Sequence, residues 1–226
     1  MGTYAFVRSA TEKKTGRHVA IKTCRGETSR VFLKNEYNLL KRLADDNIIQ
    51  VYDLIEDKTK SESYLIMEYF EGSNLDEYVS ENGAMSEADA RLIIKQLLNS
   101  LQYLHELGIA HRDIKPENIL INQQKEIKVI DFNISKSKKA DIEDGERKFT
   151  SIFYTQISSP LYCAPELKNN IGYTESIDIW GVGIVLFTLL FGTFSTNSLN
   201  RLKTQSERHV RLVEIVKEQA CCSEEC

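Results

Sequence analysis

The feature that most constrains this chain is the segment of residues 111–118, which places three polar side chains of different chemistry on one short stretch. Asp113 can accept a proton, Lys115 can neutralise a phosphate, and Asn118 can bind a metal ion. Asp131 supplies a second carboxylate thirteen residues beyond Asn118, at the end of an apolar run. These groups can act together only in a fold that brings the two segments to one place.

Two short β-like runs, residues 119–122 and 127–130, connect Asn118 to Asp131 around a polar turn. If the runs form adjacent strands, both side chains lie at strand ends. Carboxylate and amide oxygens in such an arrangement suit a hard divalent cation. The sequence therefore predicts a magnesium site at this point.

The first third of the chain is rich in strand-like runs. Charged turns separate the runs within each of two pairs. Between the pairs, residues 29–44 change to the helical spacing of apolar residues. The strand-like runs cover residues 4–11, 18–23, 48–56 and 63–69. Residues 71–74 are the best candidate for a boundary with the remainder.

Beyond that boundary the pattern is mainly helical. A capping box at residues 86–89 precedes leucines and isoleucines at helical spacing up to residue 104. Residues 136–148 are charged and poor in large apolar side chains, which predicts a mobile segment. The apolar run 179–194 is shorter than the ~20 residues that a membrane span needs, so it predicts a helix buried in the core.

Composition limits the function classes that are open. The 226 residues suffice for one large domain or two small lobes, with 42% hydrophobic and 27% charged residues. The net charge of −4 argues against a general nucleic-acid binder. The five cysteines lack a disulfide framework and residues 1–7 lack a signal-peptide pattern, so we expect reduced thiols and a cytoplasmic location, with the nucleus also open.

Several segments together resemble the signature motifs of eukaryotic-type protein kinases, in the serine/threonine branch. The matching segments are Gly2-Thr3-Tyr4-Ala5-Phe6-Val7, Val19-Ala20-Ile21-Lys22, His111-Arg112-Asp113-Ile114-Lys115-Pro116-Glu117-Asn118, Asp131-Phe132-Asn133, Ser158-Ser159-Pro160-Leu161-Tyr162-Cys163-Ala164-Pro165-Glu166 and Asp178-Ile179-Trp180-Gly181-Val182-Gly183. The resemblance implies an α+β fold with a β-rich N-lobe over residues 1–70 and a mainly helical C-lobe over 71–192. The hinge is expected near 68–74, a divergent tail over 193–226, and truncation at both ends.

The resemblance also implies roles for the polar residues. Asp113 is the base that orients the substrate hydroxyl and accepts its proton, and Lys115 neutralises the transferring phosphate. Lys115, two residues after that aspartate, points to serine/threonine rather than tyrosine substrates. Asn118 and Asp131 hold Mg²⁺. Asp178 anchors the backbone of the loop that contains Asp113.

Lys22 ends an apolar strand, where an ammonium without a partner would be costly. The resemblance gives it two partners, the nucleotide phosphates and a carboxylate on the following helix. Glu36 and Glu27 are both candidates for that carboxylate. Glu36 is preferred because Leu39 and Leu40 place it beside an inward face.

The nucleotide contacts implied by the resemblance come from both lobes. Gly2 stands at one glycine position of the phosphate-covering loop, and Ala5 replaces the next, so weaker covering is expected. Backbone groups of Glu68 and Phe70 would bind the adenine edge. The other implied contacts are Val7, Ala20 and Leu120 on the adenine faces, Lys22 on the phosphates and Asn74 on the ribose.

The resemblance predicts an enzyme that uses ATP and Mg²⁺ to phosphorylate serine or threonine in protein substrates, with a regulatory partner that the sequence does not identify. Nucleic acid and membrane spans are not expected. The alternative is a catalytically weak, kinase-like module that binds nucleotide or acts as a scaffold. Asn133 replaces the glycine expected after Phe132; because asparagine tolerates left-handed backbone, the metal site is expected to persist.

Overall fold

The computed structural model describes residues 6–57, 59–133, 135–137, 140–143, 146–149, 164, 166 and 174–192. In these ranges a four-stranded sheet with one helix comes first, followed by a mainly helical region with small sheets. This order confirms the α+β architecture expected of the two lobes. Gly2, Ala5 and residues 193–226 lie outside the described residues, so what the sequence predicts for them stays a prediction.

The first sheet is antiparallel throughout, with strand order β1-β2-β4-β3. Its strands are β1 Phe6–Thr11, β2 His18–Arg25, β3 Val51–Asp57 and β4 Glu62–Glu68. All four strands were predicted, with small errors at the ends. The third starts later than expected because Ile48 and Ile49 are buried in the core of the second region, before the chain enters the sheet.

One helix, α1 (Glu27–Leu40), packs on this sheet. Leu33 on α1, Leu65 on β4 and Cys24 on β2 form a buried apolar cluster between them. Burial raises the pKa of the Cys24 thiol, which keeps it protonated. The predicted helix ran to residue 44, but the chain leaves α1 after Leu40 in a tight turn. The packing of α1 fixes the position of every side chain on its inner face.

The second region is built on three helices and a three-stranded sheet of order β5-β7-β8. Its elements are α2 Leu75–Asn82, α3 Glu87–Glu106, α4 Ser176–Phe191, β5 Ser73–Asn74, β7 Ile119–Ile121 and β8 Ile127–Val129. The Ser86 hydroxyl accepts a hydrogen bond from Asp89 N at 3.1 Å, which confirms the predicted start of α3. Leu97 and Leu101 of α3 are buried in the core.

Helix α4 is the most apolar element, and the prediction that it is buried holds for one side. Val185 and Leu189 are completely buried. Ile179, Leu186 and Phe191 on the other side are exposed by 50%, 36% and 39%. Among the described helices none combines the length and the hydropathy of a membrane span.

The segment predicted to be mobile contains short strands instead. These are β9 Lys136–Ser137, β10 Ala140–Glu143 and β11 Glu146–Phe149. Strand β9 pairs with β6 (Ile109–Ala110), and β10 pairs with β11. Apolar content was a poor guide because strand pairing is made by backbone N–H and C=O groups, which every residue except proline supplies.

Candidate active site

The loop that contains Asp113 is attached to the start of α4 by a buried carboxylate. Asp178, whose side chain is 0% exposed, accepts hydrogen bonds from the backbone N–H groups of His111 at 2.9 Å and Arg112 at 2.7 Å. His105 Nε2 lies 2.9 Å from the same carboxylate. The anchoring contact predicted for Asp178 is therefore present, and His105 adds a third contact that the sequence did not indicate.

Helix α4 also touches this loop directly. A Cβ at Gly181 would lie 2.6 Å from the carbonyl oxygen of Ile114, closer than real Cβ atoms approach. Only glycine permits this packing without a shift of backbone. The loop therefore rests on a helix that is itself buried in the core.

His111 is completely buried and joins the loop to the segment around Asp131. Its Nδ1 accepts a hydrogen bond from Asp113 N at 3.2 Å, and its Nε2 lies 3.1 Å from Ile130 O. A proton on Nε2 satisfies both contacts. The ring also packs edge-on against Phe132, with centroids 4.5 Å apart. Both segments are thus fixed to one imidazole.

Within the loop, the three polar side chains singled out by the sequence contact one another. Lys115 Nζ lies 2.8 Å from Asp113 Oδ2. Asn118 Nδ2 donates to Asp113 O and to Asp113 Oδ2, both at 2.9 Å. Two donors therefore orient one oxygen of the Asp113 carboxylate. Because the amide nitrogen of Asn118 is turned to Asp113, its Oδ1 is the atom that can bind a cation.

Lys22 lies on β2, an interior strand of the first sheet, and its side chain reaches two carboxylates. Its Nζ is 2.8 Å from Glu36 Oε2 and 2.9 Å from Asp131 Oδ1. Burial lowers the pKa of Lys22, but the charges of Glu36 and Asp131 more than offset this and hold its pKa above the ordinary value. Lys22 therefore carries its positive charge in a site that is only 8% exposed.

The two groups of residues meet where β7 and β8 end. Ile119 pairs with Val129, and Ile130 N donates to Asn118 O at 3.0 Å. This pairing brings Asn118 beside the residue that precedes Asp131, as the predicted hairpin required. Arg112 and Asp131 both have left-handed backbone, with φ of 73° and 66°. Neither is glycine, so contacts made by the surrounding residues hold these conformations.

Comparisons with known proteins identify this architecture. The protein kinase domain family model matches residues 1–225. The chain belongs to the protein kinase family. The match extends past residue 192, beyond the last motif that the sequence analysis could place.

Curated relatives of this kinase are themselves named as kinases. It is 36% identical over 198 residues to mouse NUAK family SNF1-like kinase 1, covering 85% of this chain and 28% of the relative. It is 33% identical over 204 residues to an Arabidopsis SNF1-related protein kinase catalytic subunit, KIN12, covering 88% and 39%. A third, Arabidopsis CBL-interacting serine/threonine-protein kinase 26, is 34% identical over 197 residues, covering 84% and 43%. This kinase chain thus spans less than half the length of these relatives.

The residues expected to hold adenine and ribose lie on strands of both regions and on the segment between them. Ala20 on β2 pairs with Met67 on β4, and Val7 on β1 is 57% exposed. Leu120 pairs with Asn74 across β5 and β7. Glu68 ends β4, and Phe70 follows it before β5. In the sequence these residues come from both sides of the predicted hinge, and their contacts with nucleotide stay predictions.

Asn74 has a structural role that the sequence analysis did not assign. Its Oδ1 accepts a hydrogen bond from Glu77 N at 2.9 Å and caps the start of α2. A ribose contact could use the amide nitrogen or the remaining lone pair of this oxygen. The signal for the cap was available, because asparagine followed by two acidic residues is typical of a helix start.

Another contact missed from the sequence joins the hinge to the second region. Lys128 Nζ on β8 lies 2.8 Å from Glu68 Oε1 at the end of β4, and both side chains are less than 20% exposed. Glu68 Oε1 also accepts a hydrogen bond from Gln50 N at 2.6 Å. Lys128 lies on the face of β8 opposite the buried side chains, so the alternation along the strand indicated only a surface residue.

The oxygen donors of the site fit a magnesium ion bound together with a nucleotide. Asn118 offers a carbonyl oxygen and Asp131 a carboxylate that is 35% exposed. Mg²⁺ is typically held by one or two protein oxygens together with phosphates and water. The described residues hold no cluster of three or more His, Cys, Asp or Glu that could bind a metal ion.

Replacing the carboxylate partner of Lys22 should destabilise the kinase. We expect Glu36→Gln to lower the free energy of unfolding by about 1.5–3 kcal/mol, because it weakens hydrogen bonds to a buried charge. Glu27→Gln is the matched control, since Glu27 is exposed on the first turn of the same helix. Urea unfolding of both variants measures the difference. Equal stability of the two variants would contradict the assignment of Glu36.

Proposed function

We propose that this chain transfers the terminal phosphoryl group of ATP to serine or threonine hydroxyls of protein substrates. The observation that carries the proposal is the joining of two sets of side chains. One set is Lys22, Glu36 and Asp131, and the other is Asp113 with Lys115 and Asn118. Phosphoryl transfer depends mainly on positioning and charge neutralisation, and the two sets supply these.

Asp113 is the proposed base. Lys115 and Asn118 orient its carboxylate, so it can hold a hydroxyl in a fixed direction and accept its proton. Lys115, 2.8 Å from that carboxylate, places a positive charge where the phosphoryl group would pass to the hydroxyl. Base and cation are therefore supplied by residues only two positions apart.

Lys22 is the proposed nucleotide contact, with Glu36 as the group that positions it. The ammonium is held by Glu36 from α1 and reaches Asp131 beyond β8, so it lies where phosphates bound near Asp131 would be. Asn118 and Asp131 would hold Mg²⁺. When bound, the ion neutralises negative charge on the phosphate oxygens.

Lys115 and the names of the relatives support serine and threonine as acceptors. One relative is named a serine/threonine-protein kinase. We expect phosphoamino-acid analysis of a generic basic protein, after incubation with this chain and ATP, to give mainly phosphoserine and phosphothreonine. Phosphotyrosine as the main product would overturn this assignment.

Nucleotide binding can be tested separately from turnover. At an ATP concentration near 100 times the dissociation constant, binding should stabilise the chain by about 2.7 kcal/mol. For a chain of this size that raises the melting temperature by about 5–10 °C. We expect this shift with Mg²⁺ and a much smaller one with EDTA, measured by differential scanning fluorimetry.

The control is magnesium without nucleotide, which should leave the melting temperature nearly unchanged. An equal shift with EDTA would argue against Asn118 and Asp131 as metal ligands. It would favour the alternative of a kinase-like module that binds nucleotide without efficient turnover. No shift under either condition would contradict the nucleotide site as a whole.

A further inference from the structure

Asn133 occupies the position that the sequence analysis expected to be glycine, and its side chain enters the proposed metal site. Its Nδ2 donates a hydrogen bond to Asp131 Oδ1. Its Oδ1 lies 3.5 Å from Lys22 Nζ. The carboxamide therefore bridges the cation and the carboxylate that also contact each other at 2.9 Å.

The orientation of this carboxamide follows from its neighbours. With nitrogen towards Asp131 and oxygen towards Lys22, each end faces a group of opposite charge. The reversed orientation would place oxygen against carboxylate and nitrogen against ammonium. The chemistry of the two partners thus selects the bridging arrangement.

The role of Asn133 comes from its side-chain contacts and not from its backbone conformation. The described non-glycine residues with positive φ are Ser61, Arg112, Lys125 and Asp131, and Asn133 is not among them. The tolerance of asparagine for left-handed backbone is therefore not needed at this position. The backbone of Asn133 could be adopted by other residues, whereas its contacts need a carboxamide.

Asp131 Oδ1 consequently accepts from two donors at once, Lys22 Nζ and Asn133 Nδ2. A carboxylate oxygen has about two lone pairs available for such contacts. A metal ion can bind this oxygen only if one donor leaves. Because Lys22 is also held by Glu36, the contact that must open is the one from Asn133.

We propose that Asn133 is a positioning residue that competes with the divalent cation for Asp131 Oδ1 and so raises the Mg²⁺ concentration needed for nucleotide binding. This inference rests on the proposed function, because it assumes that Mg²⁺ and nucleotide bind at Asp131. Asn133 is not one of the metal ligands assigned from the sequence, yet its side chain would set the Mg²⁺ concentration that nucleotide binding requires.

The test compares the free Mg²⁺ concentration that gives half of the full thermal shift with a non-hydrolysable ATP analogue. Asn133→Ala removes the carboxamide, and we expect it to lower this concentration by about ten- to a hundredfold, the effect of losing one hydrogen bond to a charged group. Asn133→Gly should act in the same direction. Asn99→Ala, at an exposed position on α3, is the matched control and should match the parent.

Every possible result either supports or contradicts the role proposed for Asn133. The same half-point in the parent and both Asn133 variants, a higher one in the variants, or loss of the shift in the variants alone would overturn the inference. A higher half-point would mean that the carboxamide itself helps to bind the ion. If the parent shows no Mg²⁺-dependent shift, the proposed nucleotide site fails, and this inference fails with it. Comparing half-points within each variant removes any change in its basal stability.

Discussion

Asp113→Asn is expected to lower the rate of phosphoryl transfer to a basic protein substrate by about 10²–10⁴-fold, the usual contribution of a positioned base. The amide cannot accept the hydroxyl proton. It also places an N–H₂ group or a neutral oxygen where Lys115 and Asn118 now donate to a carboxylate. Nucleotide affinity should change little because the proposed phosphate contact comes from Lys22, and Mg²⁺ would be held by Asn118 and Asp131. Turnover with radiolabelled ATP and the thermal shift with Mg²⁺ and nucleotide measure the two effects.

Asp46→Asn is the matched control for this substitution. Asp46 is exposed in the loop after α1, away from the loop of Asp113, and the same change there should leave turnover at the parent rate. Transfer that persists in Asp113→Asn at the parent rate would contradict the assigned base. It would also require a check for a contaminating kinase.

Asp178→Ala should give the largest loss of stability, about 3–5 kcal/mol. The change leaves two backbone N–H groups, those of His111 and Arg112, buried without their acceptor. Each buried donor without a partner costs about 1–3 kcal/mol. A loss of this size is a large fraction of the ~5–15 kcal/mol that stabilises a typical domain. Urea unfolding gives the free energy, and turnover should fall with it because Asp113 follows directly on these residues.

Two further variants separate anchoring from general damage to α4. Asp178→Asn keeps one acceptor oxygen and should lie between the parent and Asp178→Ala. Ser176→Ala removes an exposed hydroxyl from the first turn of the same helix and should cost less than about 1 kcal/mol. A change below that limit in Asp178→Ala would show that the loop holds its shape without this carboxylate.

Local sequence patterns predicted much of the fold because the physical signals are short in range. Alternation and turns gave the four strands of the first sheet, and a serine hydroxyl followed by leucines at helical spacing gave α3. The contact between Lys22 and Glu36 was also predictable, since an ammonium that follows an apolar run needs a carboxylate, and Glu36 lies on an inward face. In each case the residues that decide the outcome are close in sequence.

Contacts between distant segments could not be obtained in this way. His105 meets Asp178 only because α3 and α4 pack together, and nothing near His105 indicates a carboxylate 73 positions away. The close approach of Gly181 to Ile114 likewise exists only once both elements are in place. The prediction for Asn133 used only the backbone preference of asparagine. The contact of its side chain with Asp131 depends on the folded conformation of this segment.

Arg112 and Asp131 have a left-handed backbone, which would favour a different residue if stability alone were selected. Such a conformation costs a non-glycine residue about 1–2 kcal/mol, so glycine at either place would relax the chain. At position 131 it would also delete the carboxylate proposed to hold Mg²⁺. A directed-evolution campaign scored on heat resistance alone would therefore tend to enrich glycine at position 131 and return robust but inactive proteins.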